Sequence, residues 1–262
     1  MLPYLTIFGR TIPTYGLLGM LGIGLGLLAA LLRCRRFGLS RDDCAYIYVF
    51  GAVGALAGAK LLYLLPLLPR LAADLHLLWQ EPAEFFARYL SGGMVFYGGF
   101  FGAVAGAWGA ARYFRLRFSD FFPVLVPAIP LMHAVGRVCC FCAGCCYGLP
   151  ADPPLGIAFS GAAAAPNGVP LLPVQLWEAG AELVIFILLI WYTGRVAVPA
   201  RILRFYLLAY APVRFVLEFF RGDAVRGIYG PLSTSQWISL GVLAAAVLWS
   251  LRAGAQAEKS RP

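Results

Sequence analysis

Charged residues are scarce in this chain. Asp, Glu, Lys and Arg make up 13% of its 262 residues, against about a quarter in a soluble globular domain. With 61% hydrophobic residues and a mean hydropathy of +0.79, the scarcity excludes a water-facing globule. Histidine is scarcer still, with two residues, and beyond one cysteine-rich stretch no second Cys or His cluster is available to close a structural metal site. The first fourteen residues, MLPYLTIFGRTIPT, lack a basic segment followed by an apolar run and a small-residue cleavage site, so no removable signal peptide is expected. A convincing short-period repeat is also missing. The net charge of +9 is not gathered on a soluble face with aromatic or polar readers, as nucleic-acid binding would need. The basic residues fringe apolar stretches instead, where they suit anionic lipid headgroups.

Long apolar runs are what the chain has. Crossing a bilayer as a helix takes about 20 mostly apolar residues, and seven such stretches follow one another: residues 15–32, 45–68, 92–111, 121 into the cysteines, 176–192, 205–220 and 236–251. Arg33, Arg35, Arg36 and Arg41 follow the first stretch, and Arg112, Arg115 and Arg117 the third. Arg195, Arg201 and Arg204 follow the fifth, and Arg252, Lys259 and Arg261 the seventh, so 13 of the 21 Lys and Arg fall on one side. The positive-inside rule makes that side cytoplasmic. The expectation is an all-α, polytopic membrane protein: seven transmembrane helices in one domain over residues 1–262, N-terminus outside and C-terminus cytoplasmic. The segment GAAAAPNGVP, residues 161–170, reads as an external loop.

Against that background, ionisable residues inside apolar stretches mark function, because they are costly there and normally face a partner in the bundle interior. The sixth stretch reads YAPVRFVLEFFRGD and places Tyr210, Arg214, Glu218 and Arg221 at intervals of four, four and three, which predicts one helical face. Arg137, His133, Glu178, Glu182 and Lys60 add further polar groups, and together they predict a polar cavity open toward the outer leaflet. Arginine suits a phosphodiester there, since its planar fork engages two oxygens at once and stays charged. Within HAVGR, His133 and Arg137 are four residues apart, and Pro173 should mark the start of the helix carrying Glu178.

The stretch GRVCCFCAGCCYG, residues 136–148, holds five of the seven cysteines. Cys139 with Cys142, and Cys142 with Cys145, have the C-x-x-C spacing of metal ligands. A chain turn at Gly144 would let Cys139 or Cys140 reach Cys145 or Cys146 as a disulfide. Arg137 and His133, three and seven residues before Cys140, would support an activated thiolate. Small, polarizable cysteines also pack well at a tight helix end between Gly136 and Gly148.

The chain resembles the bacterial prolipoprotein diacylglyceryl transferase family. The similarity runs through TYGLLG at residues 14–19, GGMVFYGGFFGA at 92–103, GRVCCFCAGCCYG, LPVQLWEA at 172–179, YAPVRFVLEFFRGD and STSQWISL at 233–240. It implies a seven-span enzyme of the bacterial cytoplasmic membrane that moves a diacylglyceryl group from phosphatidylglycerol to the lipobox cysteine thiol of a prolipoprotein, releasing glycerol phosphate. No cofactor, metal or nucleic acid is implied. By the resemblance, Tyr15, Gly98, Gly99, Gly148, Glu178, Tyr210, Glu218 and Arg221 are substrate-binding, and Arg137 and Arg214 are catalytic. Where the family usually has His-Gly-Gly in the third span, this chain has Tyr97, Gly98 and Gly99. Cys140, Ala143 and Cys145 stand where well-studied members have Asn, Asn and Glu. The chain is thus similar to a Cys-rich subgroup. His133, or Tyr97 polarised by an arginine, is the candidate base for the incoming thiol, and Cys140 and Cys145 are candidates for a thiol role that includes a covalent diacylglyceryl-enzyme intermediate. A related transferase with another acceptor, and a phospholipid transporter or receptor without chemistry, are the alternatives.

Overall fold

The computed structural model describes residues 4–7, 9–90, 92–162, 164–196, 198–223 and 227–259. Arg261, part of the basic fringe, lies outside them, as does the side chain of Lys259. Two compact units divide the chain: residues 34–121, and residues 1–33 together with 122–262.

In the larger unit a short antiparallel hairpin, β1 (Tyr4–Ile7) with β2 (Arg10–Pro13), leads into α1 (Thr14–Cys34). The smaller unit begins with α2 (Arg41–Leu64), capped by Ser40, whose hydroxyl accepts the Asp43 N–H at 3.3 Å, with Asp42 and Asp43 favourably placed in its positive first turn. The short helices α3 (Leu68–Ala73), α4 (Leu77–Gln80) and α5 (Pro82–Tyr89) follow, then α6 (Phe96–Tyr113). The larger unit resumes with α7 (Phe122–Ala143), the two-residue strands β3 (Ile157–Ala158) and β4 (Pro170–Leu171), α8 (Val174–Thr193) and α9 (Pro199–Leu217). A last small hairpin, β5 (Ile228–Tyr229) with β6 (Leu232–Ser233), precedes α10 (Thr234–Lys259).

The long helices coincide with the seven apolar stretches, and the protein is a multi-pass membrane protein. By length and composition alone, five segments among the described residues qualify as spans: Thr14–Phe37, Arg41–Gln80, Phe118–Ala143, Val174–Thr193 and Thr234–Ala253. The two that fall short of the seven expected are α6, whose glycines dilute its hydropathy, and α9, which carries charged residues along its length.

Each unit has its own reason to pack. In the smaller one, α2 and α6 meet along glycines. A Cβ on Gly58 would strike the Gly98 carbonyl, and one on Gly102 would strike that of Gly54. This is the close backbone approach that small residues four apart allow in membranes. In the larger unit α8 packs on both α7 and α9, and α9 on α10. Val126, Ile185, Leu189, Ile202 and Tyr206 form the apolar core there, and Gly22 of α1 brings that helix within contact of Met132 and Val135 of α7.

Candidate active site

One ion-pair network lies within the larger unit, built from α7, α8, α9 and the turn after α9. From α8, Glu178 and Glu182 enter the interior almost completely buried. On α7 the four-residue spacing of His133 and Arg137 holds, and Arg137 Nε donates to His133 Nε2 at 3.2 Å. Glu178 bridges two arginines, with Oε1 3.0 Å from Arg137 Nη2 and Oε2 accepting from Arg214 Nη1 at 3.4 Å. Arg214 Nη2 also meets Glu218 Oε2 at 2.7 Å and donates to Ser235 Oγ at 3.2 Å. Glu182 Oε1 stands 2.5 Å from His133 Nδ1. Both imidazole nitrogens are therefore engaged.

Arg221 departs from the helical face expected of it. α9 ends at Leu217, and residues Glu218–Phe220 tighten into a single 3-10 turn. Arg221 is extended and pairs with Gly148 as an isolated β-bridge. Its guanidinium still lies 3.6 Å from Glu218 Oε2, but its main partner is Asp223, at 2.8 Å through Nε and 2.5 Å through Nη2. Such a two-point clamp leaves the fork oriented but shared. Tyr210 stacks on Tyr206 at 5.9 Å and meets the His133 ring edge-on at 5.5 Å.

The cysteine stretch is folded back on itself. Cys139, Cys140 and Cys142 belong to the last turns of α7, and Gly144 then adopts a left-handed conformation at φ 69°. Cys146 does likewise at φ 56°, an uncommon conformation for a residue with a side chain. Ala165 N–H donates to the Gly144 carbonyl at 2.9 Å, and Gln175 Nε2 donates to that of Cys145 at 2.7 Å. Residues 147–149 are then clamped on two sides. Gly148 donates to the Leu172 carbonyl at 3.0 Å, Leu149 to that of Phe220 at 2.9 Å, and Gly222 to that of Tyr147 at 2.9 Å.

This clamp explains the glycine that closes the motif. A Cβ on Gly148 would stand 2.5 Å from the Leu172 carbonyl oxygen and 2.7 Å from Val174 Cγ2. Gly148→Ala is expected to cost about 1–3 kcal/mol through overpacking, measured as a lowered unfolding midpoint in detergent. Gly136→Ala, where a Cβ meets nothing within 4 Å, should leave the midpoint unchanged. Gly136 thus does not share the close approach seen at Gly148.

The fold brings the Sγ atoms of Cys140, Cys145 and Cys146 within 4.8 Å of one another. All seven cysteines are free. The Cys146 thiol, beyond the end of α7, is held below its ordinary pKa because hydrogen bonds from Cys140 and Cys145 favour its charged form and the Arg221 and Arg137 guanidiniums attract it. Tyr15, at the start of α1, lies within electrostatic reach of the same thiols.

His133, Arg137, Glu178, Tyr210, Arg214, Glu218, Arg221 and Gly148 thus meet in one place, with Tyr15 facing the adjoining cysteines. Glu182, Asp223, Ser235 and Gln175 join them. The last three were visible only as members of the motifs RGD, STSQ and VQLWE, since nothing in their spacing marks a partner. Tyr97, Gly98, Gly99 and Lys60 belong to the smaller unit. Gly98 serves the α2–α6 contact there. Lys60 donates to the carbonyls of Leu90 and Gly92 at 3.1 and 2.5 Å.

Comparison with known proteins agrees with the motifs. The prolipoprotein diacylglyceryl transferase family model matches residues 3–252. A phosphatidylglycerol–prolipoprotein diacylglyceryl transferase of Clostridium tetani is 32% identical over 241 residues, 89% of this chain and 90% of the relative. One from Geobacter sulfurreducens is 34% identical over 234 residues, 86% and 84% respectively. A phosphatidylglycerol–prolipoprotein diacylglyceryl transferase 2 of Clostridium perfringens is 31% identical over 242 residues, 92% and 91%.

Proposed function

Because the chain belongs to the prolipoprotein diacylglyceryl transferase family, we propose that it transfers a diacylglyceryl group from phosphatidylglycerol to the lipobox cysteine of a prolipoprotein and releases glycerol phosphate. It does so as a seven-span protein of the bacterial cytoplasmic membrane, N-terminus outside and C-terminus inside. The family match runs through both compact units, which supports one functional domain. The observation that carries the reading is the buried network in which Arg137 and Arg214 share Glu178.

Arginines so placed do two things for this reaction. Held by carboxylates, their forks keep a fixed orientation, and each guanidinium has five N–H groups, more than its neighbours here occupy. The remaining donors bind the phosphodiester and stabilise the second negative charge that develops on the phosphate as the glycerol C–O bond breaks. Glu178 and Glu218 offset the repulsion between neighbouring cations, and Arg221, clamped by Asp223, adds a third fork beside Cys146. Tyr210 and Tyr15 line the same region in this reading, and Gly148 keeps the cysteine turn against it.

His133, a candidate base by sequence, has both nitrogens occupied and acts as a positioning residue for Arg137. His133→Gln, whose amide can both accept and donate, should keep transfer within about tenfold of the parent, while His133→Ala loses more. A general base contributes 10²–10⁴-fold, so equal and large losses in both variants would restore the base role. The function itself is tested by expressing the chain in a bacterium depleted of its own transferase and following a reporter prolipoprotein by mass. The diacylglyceryl adduct should be present with the parent chain and absent with Arg137→Ala. A folded, membrane-inserted parent that leaves the reporter unmodified overturns the reading.

A further inference from the structure

The remaining gap is the acceptor thiol, which must become a thiolate to attack, while His133 is fully engaged by Glu182 and Arg137. Beside Arg137 and Arg221 sit three thiols whose sulfurs lie within 4.8 Å of one another. They are not the pairs that C-x-x-C spacing suggests. Cys142 is left out, and Cys145 and Cys146 return over Cys140 because Gly144 and Cys146 both take left-handed backbone.

We propose that Cys140, Cys145 and Cys146 form a three-thiolate site for a soft divalent ion of the zinc class, with its fourth position taken by the acceptor cysteine. This revises the expectation of no metal and rests on the transferase reading above. Tetrahedral zinc–sulfur bonds of 2.3 Å separate the sulfurs by about 3.8 Å, so the three thiols need only small rotations to close on an ion. Three protein ligands and one open position are the pattern of a reactive rather than a structural zinc site. Among the described residues the group contains three ligands and no fourth. The thiols are half-buried, so an incoming side chain can reach them, and the two guanidiniums offset the excess negative charge of the thiolates. A turn held by Gln175, Ala165 and the Gly148 clamp keeps the ligands in place before the ion arrives.

The chemistry balances without an oxidant. The acceptor thiol loses its proton on binding the ion. Its sulfur electron pair forms a bond to the terminal glycerol carbon of the diacylglyceryl group, and the carbon–oxygen bond to phosphate breaks with its electrons on oxygen. The departing glycerol phosphate carries away the charge, and the thiol proton ends on it or in water.

The test uses the full chain in lipid nanodiscs, stripped with a chelator under reducing conditions and titrated with cobalt(II), which reports thiolate ligation by near-ultraviolet charge-transfer absorption. About one cobalt per chain is expected, displaced by zinc. The spectrum should shift on adding a lipobox peptide and stay unchanged with the same peptide carrying Ser in place of Cys. Cys145→Ser and Cys146→Ser should weaken binding at least tenfold, and Cys142→Ser should not. Should the variants fail to fold, the parent chain alone decides. Absence of the cobalt–thiolate band with reduced thiols overturns the site, as does a mass 2 Da low from a disulfide in the unreduced membrane protein. A bound metal indifferent to the peptide overturns the fourth-ligand role. Lipid transfer that proceeds unchanged in metal-stripped protein sinks this proposal and leaves the transferase standing. Metal and peptide binding without transfer from phosphatidylglycerol sinks the transferase and leaves the site.

Discussion

Arg214→Ala is expected to lower diacylglyceryl transfer by on the order of 10²–10³-fold, the usual loss when one preorganised donor to developing charge is removed. The residue is buried and joins two carboxylates and a hydroxyl, Glu178, Glu218 and Ser235. Its removal therefore also strands charge, at about 3–5 kcal/mol for breaking a buried pair from one side. The two effects separate by design. Arg214→Met combined with Glu218→Gln removes the stranded charge and should recover folded protein in the membrane, without recovering transfer. A double variant that regains both folding and activity would assign Arg214 to structure alone.

The second large effect is expected in the smaller unit, where α2 meets α6. Gly102→Ala in α6 places a Cβ against the Gly54 carbonyl of α2, and Gly58→Ala does the same against Gly98. Neither obstacle is a flexible side chain, so the helices must move apart along their whole contact. In a bilayer, where packing rather than hydrophobicity drives helix association, little replaces what is lost. Both variants should reduce the amount of folded protein recovered from membranes to a small fraction. Gly109→Ala, on the same helix with nothing within 4 Å of its new Cβ, should leave it unchanged or slightly more stable, by about 0.5–1 kcal/mol from reduced chain entropy. Equal recovery of all three would show that the α2–α6 contact does not hold the unit together.

These two regions differ in how far sequence alone revealed them. Tyr210, Arg214 and Glu218 were readable because charges in an apolar stretch are costly and their spacing obeys helical geometry. Glu178 followed from its place after Pro173, which does begin α8. Arg221 was readable as a member of the site but not in its conformation, because the helix tightens at Glu218 and the bridge to Gly148 that holds it extended is nonlocal. The cysteines were legible in part, since the turn at Gly144 that brings Cys140 to Cys145 and Cys146 was expected and is present. C-x-x-C spacing points along the chain, whereas the trio that meets is set by two left-handed residues and by hydrogen bonds from Gln175 and Ala165. The packing of Gly98 on the backbone of Gly58 was not legible in the sequence, because it joins two helices about forty residues apart. The partners of Lys60, two carbonyls about thirty residues downstream, carried no signal in the sequence.

The transferase claim is tested most directly by product analysis on the purified chain in vesicles. With phosphatidylglycerol and a lipobox peptide, equal amounts of diacylglyceryl thioether peptide and glycerol phosphate are expected, and neither product when phosphatidylethanolamine is the only lipid. Glycerol phosphate released without the thioether, or no product from folded protein with phosphatidylglycerol present, would contradict it.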